Sequence, residues 1–412
     1  MLNLRLLQLL LCSVLGVLST QPRAFAQLSV DIPEPAFSDG NSAQGIPFSR
    51  MMDHIILQTT INGNHQVNLI FDTGFGTPGA ILFNKSLADS LQLTYIGQVD
   101  LGGGGTEGTK LANIATGISL SLPGVEYTNQ QLLVLDDSVS NFNGLVIDGI
   151  IGGTLLGATV EIDYDESVFN IYGNSSYQPD SGAVQFPIEF SSGIPVIEAS
   201  LMLESGERLP ITLLYDTGVP EIPLLLFPFS NDRISVPERT IEYRGEAMGG
   251  EMKIQCGRVK QLDVGPFSFS NVVGGYVSED EFGTAVVLGQ NGMLGHDIIQ
   301  RFKVAFDYIG KRIFMSPNKG FNRRYEINTA GLGMLDQDDG ALRVTCVVPG
   351  SPAAEQGIEV SDVITKINGI NASEYSYIKL RELFCEVDST VTLDVRRGNR
   401  EFNCEVKLRK LI

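Results

Sequence analysis

From about residue 46 to 318 the chain is a succession of short apolar or alternating runs broken by Gly, Pro, Asn and Asp. That period-two texture with frequent breakers predicts strands and few helices. His54 to Ile61, Val67 to Phe71, Leu111 to Leu122 and Gln131 to Leu135 read as strands in the first half. Val196 to Leu203, Ile211 to Tyr215, Val259 to Val264 and Val272 to Val277 do so in the second. Asn62-Gly63 is a tight-turn signal between two of these runs. Ser86 to Gln92 reads as a helix, and Gly152 to Leu156 as the start of a short one. After Pro317 the texture changes. Asn318 to Arg324 is polar and basic, and a unit of about 90 residues follows, read as strand, Gly-rich loop, strand, short helix, strand, longer helix and two closing strands.

The first two segments repeat one another. Asp72-Thr73-Gly74 and Asp216-Thr217-Gly218, 144 positions apart (216 − 72), each follow an apolar run. Downstream, Asp148 to Leu156 is echoed by Asn291 to Ile299, and Ile162-Asp163-Tyr164 by Phe306-Asp307-Tyr308. Ile46-Pro47-Phe48 and Phe186-Pro187-Ile188 lead into the two halves. A period this long exceeds that of solenoid repeats and points to two domain-sized lobes.

Each residue of the repeated tripeptide has a task. Gly permits a tight turn and presents an N–H to the carboxylate. Thr can hydrogen-bond across to the other lobe. Two Asp side chains brought face to face cannot both stay ionised, so the pair holds one proton between them. One carboxylate can then act as base on a water while the other, protonated, polarises a carbonyl.

Composition narrows the setting. Arg5, the apolar stretch Leu6 to Val17 and Ala24-Phe25-Ala26 form an export-signal pattern over residues 1–26. The expected location is periplasmic or extracellular, with no membrane span in the mature chain. The whole chain carries 29 Lys+Arg against 48 Asp+Glu. Without Arg5 and Arg23 the count is 27 (29 − 2) against 48, a formal charge of −21, which argues against nucleic acid as a partner. Cys256, Cys346, Cys385 and Cys404 remain after the signal. Unpaired thiols or one bridge, Cys346 with Cys404, both fit them. There is no C-x-x-C spacing, and His54, His65 and His296 lack metal spacing, so no metal site is expected. Asp163 to Ser167 has only a fragment of a calcium loop and reads as a solvated turn. The Gly-rich run at 102–108 lacks the Gly-Lys-Ser/Thr ending of a phosphate loop, and no Gly-x-Ser-x-Gly elbow supports a serine nucleophile.

Over roughly Ile46 to Pro317 the chain resembles the pepsin/retropepsin aspartic proteases, in a bacterial single-chain form. The resemblance implies a mainly β, two-lobed acid-protease β-barrel fold, with Asp72 and Asp216 as catalytic residues and no cofactor. Thr73, Gly74, Thr217 and Gly218 would support the loops, as would Ile151-Gly152 and Leu294-Gly295 in the crossing segments Ile150-Ile151-Gly152 and Met293-Leu294-Gly295. Gly103, Gly104, Gly105 and Thr106 would form a flap, with Gly245 to Gly250 as its counterpart. Phe75 and Val219 stand where relatives usually carry a small residue, and the loop Val219 to Pro223 is unusually Pro-rich.

The last unit resembles a PDZ domain, a small α+β fold, in Gly331-Leu332-Gly333-Met334, Ser351 to Ile358, Asp362-Val363-Ile364 and Ile367-Asn368-Gly369. Ser361 replaces the usual Gly before that Asp. Gly331, Leu332, Gly333 and Met334 would receive a peptide C-terminus, and a helix carrying Ile378, Leu380, Leu383 and Phe384 would line the groove. The expected organisation is a signal at 1–26, a loose leader at 27–45, lobes at 46–180 and 181–318, a linker at 319–324 and the PDZ domain at 325–412. The expected function is exported aspartic endopeptidase acting on extended polypeptide. The rivals are a non-catalytic peptide-binding scaffold on a protease-like body and a processing enzyme for one envelope partner.

Overall fold

The computed structural model describes residues 10–11 and 34–412, apart from 52, 78, 138–139, 143–144, 175, 284–288, 326 and 338–339. The predicted signal therefore lies outside the described residues except for Leu10–Leu11, which pair with Glu246 and Ala247.

Each lobe is built on one sheet, and the two sheets repeat. In the first, strands run in the order Val125–Asp137, Ala80–Asn84, Gly149–Ile151, His65–Phe71, His54–Ile61, Lys110–Leu122 and Tyr95–Leu101. In the second, Phe267–Tyr276, Leu224–Leu226, Gly292–Leu294, Arg208–Tyr215 and Ile194–Met202 follow the same order. Gly250–Val264 bonds both Phe267–Tyr276 and Ile194–Met202, as Lys110–Leu122 bonds both Val125–Asp137 and His54–Ile61. Each sheet is thereby curled back on itself, which removes edges and wraps the inward residues around a core. The turn at Asn62-Gly63 has φ +49° and +75°, the left-handed pair that the dipeptide accommodates.

A third, six-stranded sheet joins the lobes. Ser42–Pro47, Val168–Tyr172 and Thr159–Asp163 come from one half, and Phe302–Asp307, Arg312–Pro317 and Val184–Pro187 from the other. The seam is the antiparallel pair Thr159↔Asp307 through Ile162↔Val304. The echo of Ile162-Asp163-Tyr164 in Phe306-Asp307-Tyr308 thus marks the end of the central strand in each half. Both aspartates cap the turn that follows: Asp163 Oδ1 accepts from the amides of Asp165 and Glu166, and Asp307 Oδ1 from that of Gly310. One apolar core runs through both lobes and this sheet, including Phe71, Phe169, Tyr215 and Phe306.

The leader and linker differ from expectation. Ala36–Phe37 pairs with the first lobe and Ser42–Pro47 is the edge strand of the joining sheet, so residues 36–45 are folded rather than loose. Ile46 and Ala43 bury into the core while Gln44 and Gly45 face out, a short alternation hidden among polar residues. The 319–324 segment is tied down, because Phe321 packs in an aromatic cluster with Phe267, Phe269 and Phe302.

The last unit is a five-strand sheet with a short added strand. Leu332–Asp336, Leu342–Val347, Val363–Ile367, Thr390–Arg397 and Arg400–Lys407 enclose their own core with the helices Pro352–Glu355 and Tyr377–Phe384. Ser351 and Ser376 cap the two helices through their hydroxyls. Apart from the short strand Ile370–Asn371, the order of strand, loop, strand, short helix, strand, longer helix and two closing strands is the one the pattern predicts. Ser361 sits at φ +75°, the conformation the replaced Gly would supply. No disulfide joins the four cysteines: Cys346 and Cys404 are separate, Cys404 packing in the unit's core, so the suggested bridge is absent.

Candidate functional site

The strand His65–Phe71 ends at Asp72, and Arg208–Tyr215 ends at Asp216. Beside each runs a three-residue parallel strand, Ile151 opposite Phe71 and Leu294 opposite Tyr215. The amide of Asp72 donates to Ile151 O at 2.9 Å, and that of Asp216 to Leu294 O at 3.1 Å. The crossing segments must then pass directly over the loops. A β-carbon on Gly152 would collide with the carbonyl of Asp72, and one on Gly295 with that of Ile222. The repeated apolar-apolar-Gly spacing is the sequence trace of that close approach.

The loops interlock across the lobe boundary. The Thr73 amide donates to Thr217 Oγ1 and the Thr217 amide to Thr73 Oγ1, both at 3.0 Å. Each hydroxyl then donates onward to the opposite strand, Thr73 to Tyr215 O at 2.7 Å and Thr217 to Phe71 O at 3.2 Å. Both donors and both acceptors are buried and all are paired.

The carboxyl groups meet on top of this lattice. Gly74 N–H donates to Asp72 Oδ1 and Gly218 N–H to Asp216 Oδ1, each at 2.7 Å. A β-carbon on Gly74 would lie 2.5 Å from Asp216 Oδ2, and one on Gly218 would lie 2.5 Å from Asp72 Oδ2. Each carboxylate therefore rests against the glycine of the other loop, an arrangement with twofold character. Asp72 and Asp216 are both 0 % exposed. Burial pushes Asp72 well above the usual carboxylate range, and the negative charge of Asp216 pushes it further. Burial raises Asp216 to about 6, while the Gly218 amide and a hydrogen bond with Asp72 hold it lower. Two like groups in contact thus titrate apart.

The outer oxygens are less well served. Apart from the proton the pair shares, Asp72 Oδ2 and Asp216 Oδ2 find no hydrogen-bond donor in the protein. The side chains of Phe75 and Val219, the residues after each tripeptide, are buried in apolar clusters and offer none, though the Phe75 amide helps hold Asp72 lower. His296, which follows the second crossing segment, is packed against the loop, as its place in the chain suggests. Its ring Nδ1 lies 3.0 Å from the carbonyl oxygen of Thr217, and its backbone N–H donates to Val219 O at 2.9 Å. Burial holds its imidazole down at about 3, so it is neutral and donates from Nδ1. Its chain position after Met293-Leu294-Gly295 was the available signal.

Two hairpins meet tip to tip. Tyr95–Leu101 and Lys110–Leu122 carry Gly103, Gly104, Gly105 and Thr106 at their tip, and Thr240–Ala247 and Gly250–Val264 carry Met248-Gly249. The tips bond each other: Gly249 N–H to Gly104 O at 2.8 Å, Glu107 N–H to Gly249 O at 2.6 Å and Thr106 N–H to Glu251 O at 3.3 Å. Gly105 N–H donates to Glu281 O at 3.0 Å. Met248 packs in one cluster with Phe75 and Leu101. Both predicted flap segments come together here.

In the last unit Gly331, at φ +76°, turns the chain into the strand Leu332–Asp336. That strand is the edge of its sheet among the described residues, and Gly333 lies close against Cys346. Leu380 and Phe384 point into the unit's core with Leu383 packed beside them, not into a groove. Ile378's side chain lies outside what the structure describes. Among the described residues no group of His, Cys, Asp and Glu is arranged to hold a metal ion, and no helix is long and apolar enough to cross a membrane.

Comparison with known proteins fits this division. A family profile described as aspartyl protease matches residues 57–155, and one described as PDZ domain matches residues 343–397. A probable CtpA-like serine protease of Staphylococcus aureus (strain COL) is 30 % identical over 95 residues, 23 % of this chain and 19 % of that protein. Disks large homolog 2 of Rattus norvegicus is 40 % identical over 76 residues, 18 % of this chain and 9 % of its own. The chain thus spans less than a fifth of the length of these relatives. The crystal structure of the aspartic proteinase from Irpex lacteus aligns with a TM-score of 0.43 at 13 % identity, over 69 % of this chain and 99 % of that one. The chain is thus of mainly β fold, with residues 57–155 matching the aspartyl-protease family and a C-terminal PDZ domain matched at 343–397.

Proposed function

We propose that this protein is an aspartic endopeptidase in which Asp72 and Asp216 hold one water between them and one proton. The observation that carries the reading is the reciprocal seating of each carboxylate on the other loop's glycine, fixed by the Thr73–Thr217 lattice. Asp216, the lower of the two in pKa, takes a proton from the water as its oxygen attacks the scissile carbonyl carbon. Asp72, protonated, donates to the carbonyl oxygen, giving a neutral tetrahedral diol. Asp216 then gives its proton to the leaving nitrogen, the C–N bond breaks, and one diol hydroxyl returns its proton to Asp72 as the carbonyl re-forms, which releases acid and amine and restores the starting state.

The substrate is an extended polypeptide laid between the loops and the two hairpins, whose tips must part to admit it. The PDZ domain takes a peptide C-terminus as an added strand beside Leu332–Asp336, at the loop Gly331-Leu332-Gly333-Met334. Export to the periplasm or the exterior follows from the N-terminal pattern of Arg5, Leu6 to Val17 and Ala24-Phe25-Ala26. Digestion of a peptide library with mass-spectrometric readout tests the reading. Cleavage by the wild type, lost in Asp72→Asn and in Asp216→Asn, is the expected result. A peptide-holding body without catalysis is the second reading, favoured by the two outer oxygens that lack a donor. It predicts binding of the same peptides with no cleavage by any of the three proteins.

A further inference from the structure

The PDZ helix Tyr377–Phe384 turns two side chains toward the lobes. The Tyr377 hydroxyl donates to Glu221 Oε1, whose other oxygen accepts from the Tyr243 hydroxyl at 3.1 Å. Arg381 spans two carboxylates: Nη1 reaches Asp53 of the first lobe, and Nη2 lies 2.7 Å from Asp297 Oδ1 of the second. These are not surface pairs. Asp53 and Asp297 are buried, and Asp297 is further held by Arg301 and Arg323 at 3.0 and 2.8 Å. Burial opposes its ionisation, but the three guanidinium groups outweigh that and keep it at about 2.

Both contacts reach the second Asp-Thr-Gly loop. Glu221 is the third residue after Gly218, at φ +59° in the Pro-rich loop that passes beneath Gly295. Asp297 adjoins His296, which grips that loop through Val219 O and Thr217 O. The Thr217 carbonyl and the Gly218 N–H belong to one peptide plane. Fixing the first therefore aims the second, which bonds Asp216 Oδ1 at 2.7 Å. In the first lobe Gly153 occupies the position of His296 and has no side chain to do this. The charged and titratable groups facing His296 are Asp53, Arg50, His54 and Tyr164.

We propose that Tyr377 and Arg381 are positioning residues for Asp216: the docked PDZ helix sets the geometry of the second Asp-Thr-Gly loop through Glu221 and through Asp297–His296. The inference rests on the reading of Asp72 and Asp216 as the hydrolytic pair. Any event that lifts the helix from the lobes, such as a peptide occupying the PDZ domain, then acts on the chemistry and not only on recruitment.

The test uses the full chain with Tyr377→Phe and Arg381→Lys, which keep shape or charge. Both variants are checked for wild-type fold by circular dichroism. Expected is a kcat lower by about tenfold with KM unchanged, since a small displacement of a catalytic group costs that much or more. The acidic limb of the pH–rate profile moves as well, and so does the Asp216 carboxyl titration followed by carbon-13 NMR. A helix that merely docks would leave kcat, limb and titration at wild-type values in both folded variants, and that result overturns the proposal. Should the wild type cleave nothing, the protease reading fails by itself. The carboxyl titration then still decides whether Tyr377 and Arg381 position Asp216.

Discussion

Thr73 and Thr217 hold each other twice, amide to hydroxyl in both directions at 3.0 Å, across the boundary between the lobes. Replacing either by Val keeps the shape but removes the acceptor of one buried amide and the donor to one buried carbonyl. An unsatisfied buried polar group costs roughly 1–3 kcal/mol. Thr73→Val and Thr217→Val should therefore each lower unfolding free energy by about 2–6 kcal/mol. Ser at either position should retain most of it. Urea unfolding of the four variants checks this, and a Val variant as stable as its Ser partner would show that the lattice carries no load.

The pKa order of the pair sets a pH window with a definite sign. Asp216 is raised by burial to about 6, and Asp72 lies higher still. The singly protonated state therefore builds as pH rises through about 6, and cleavage should rise with it. Stability moves the other way. In the unfolded chain Asp216 returns to about 3.8, so the folded state holds the proton more tightly. Its contribution is complete below about pH 4 and is lost as pH climbs through about 6. Asp216→Asn should accordingly raise Tm near pH 7 and change it little near pH 3.5. Thermal melts at the two pH values measure this, and an equal shift at both would rule out the raised value.

The hairpin tips are packed too closely for side chains. A β-carbon on Gly249 would meet Gly104 O at 2.8 Å and Gly108 O at 3.0 Å. Gly249→Ala should hold the tips apart, raise hydrogen exchange at the amides of Glu107 and Gly249, and raise KM by about tenfold through loss of closure. Exchange mass spectrometry and steady-state kinetics read the two effects. Unchanged protection at those amides would mean that the tips do not depend on this contact.

What the sequence disclosed was whatever repeats or has a fixed local chemistry. Asp-Thr-Gly and the apolar-apolar-Gly segments recur because each loop demands the same turn, amide and close approach. Asn62-Gly63 declares itself by its backbone preference. Ser42–Pro47 went unseen because an edge strand of six residues buries only two side chains. The latch on the PDZ helix was invisible for another reason. Asp53, Glu221, Asp297 and Arg381 are single charges scattered along the chain, and only the folded arrangement pairs them. The helix face shows the same limit. A run rich in Leu and Phe reads as groove lining, but the PDZ core is small and takes Leu380 and Phe384 for itself.

The unpartnered outer oxygen of Asp216 offers the last prediction. Val219 follows Gly218, is fully buried and has nearly the shape of Thr. Val219→Thr places a hydroxyl in a cluster where the Asp216 carboxylate is the group short of a donor. A hydrogen bond to the ionised form favours it and lowers the pKa. The acidic limb of cleavage should then move to lower pH, with stability near neutral pH held or improved. A hydroxyl that found no acceptor would instead cost roughly 1–3 kcal/mol and leave the limb in place. The pH–rate profile and urea unfolding of Val219→Thr separate these outcomes. Lost stability with an unmoved limb would show that the outer oxygen is turned away from residue 219.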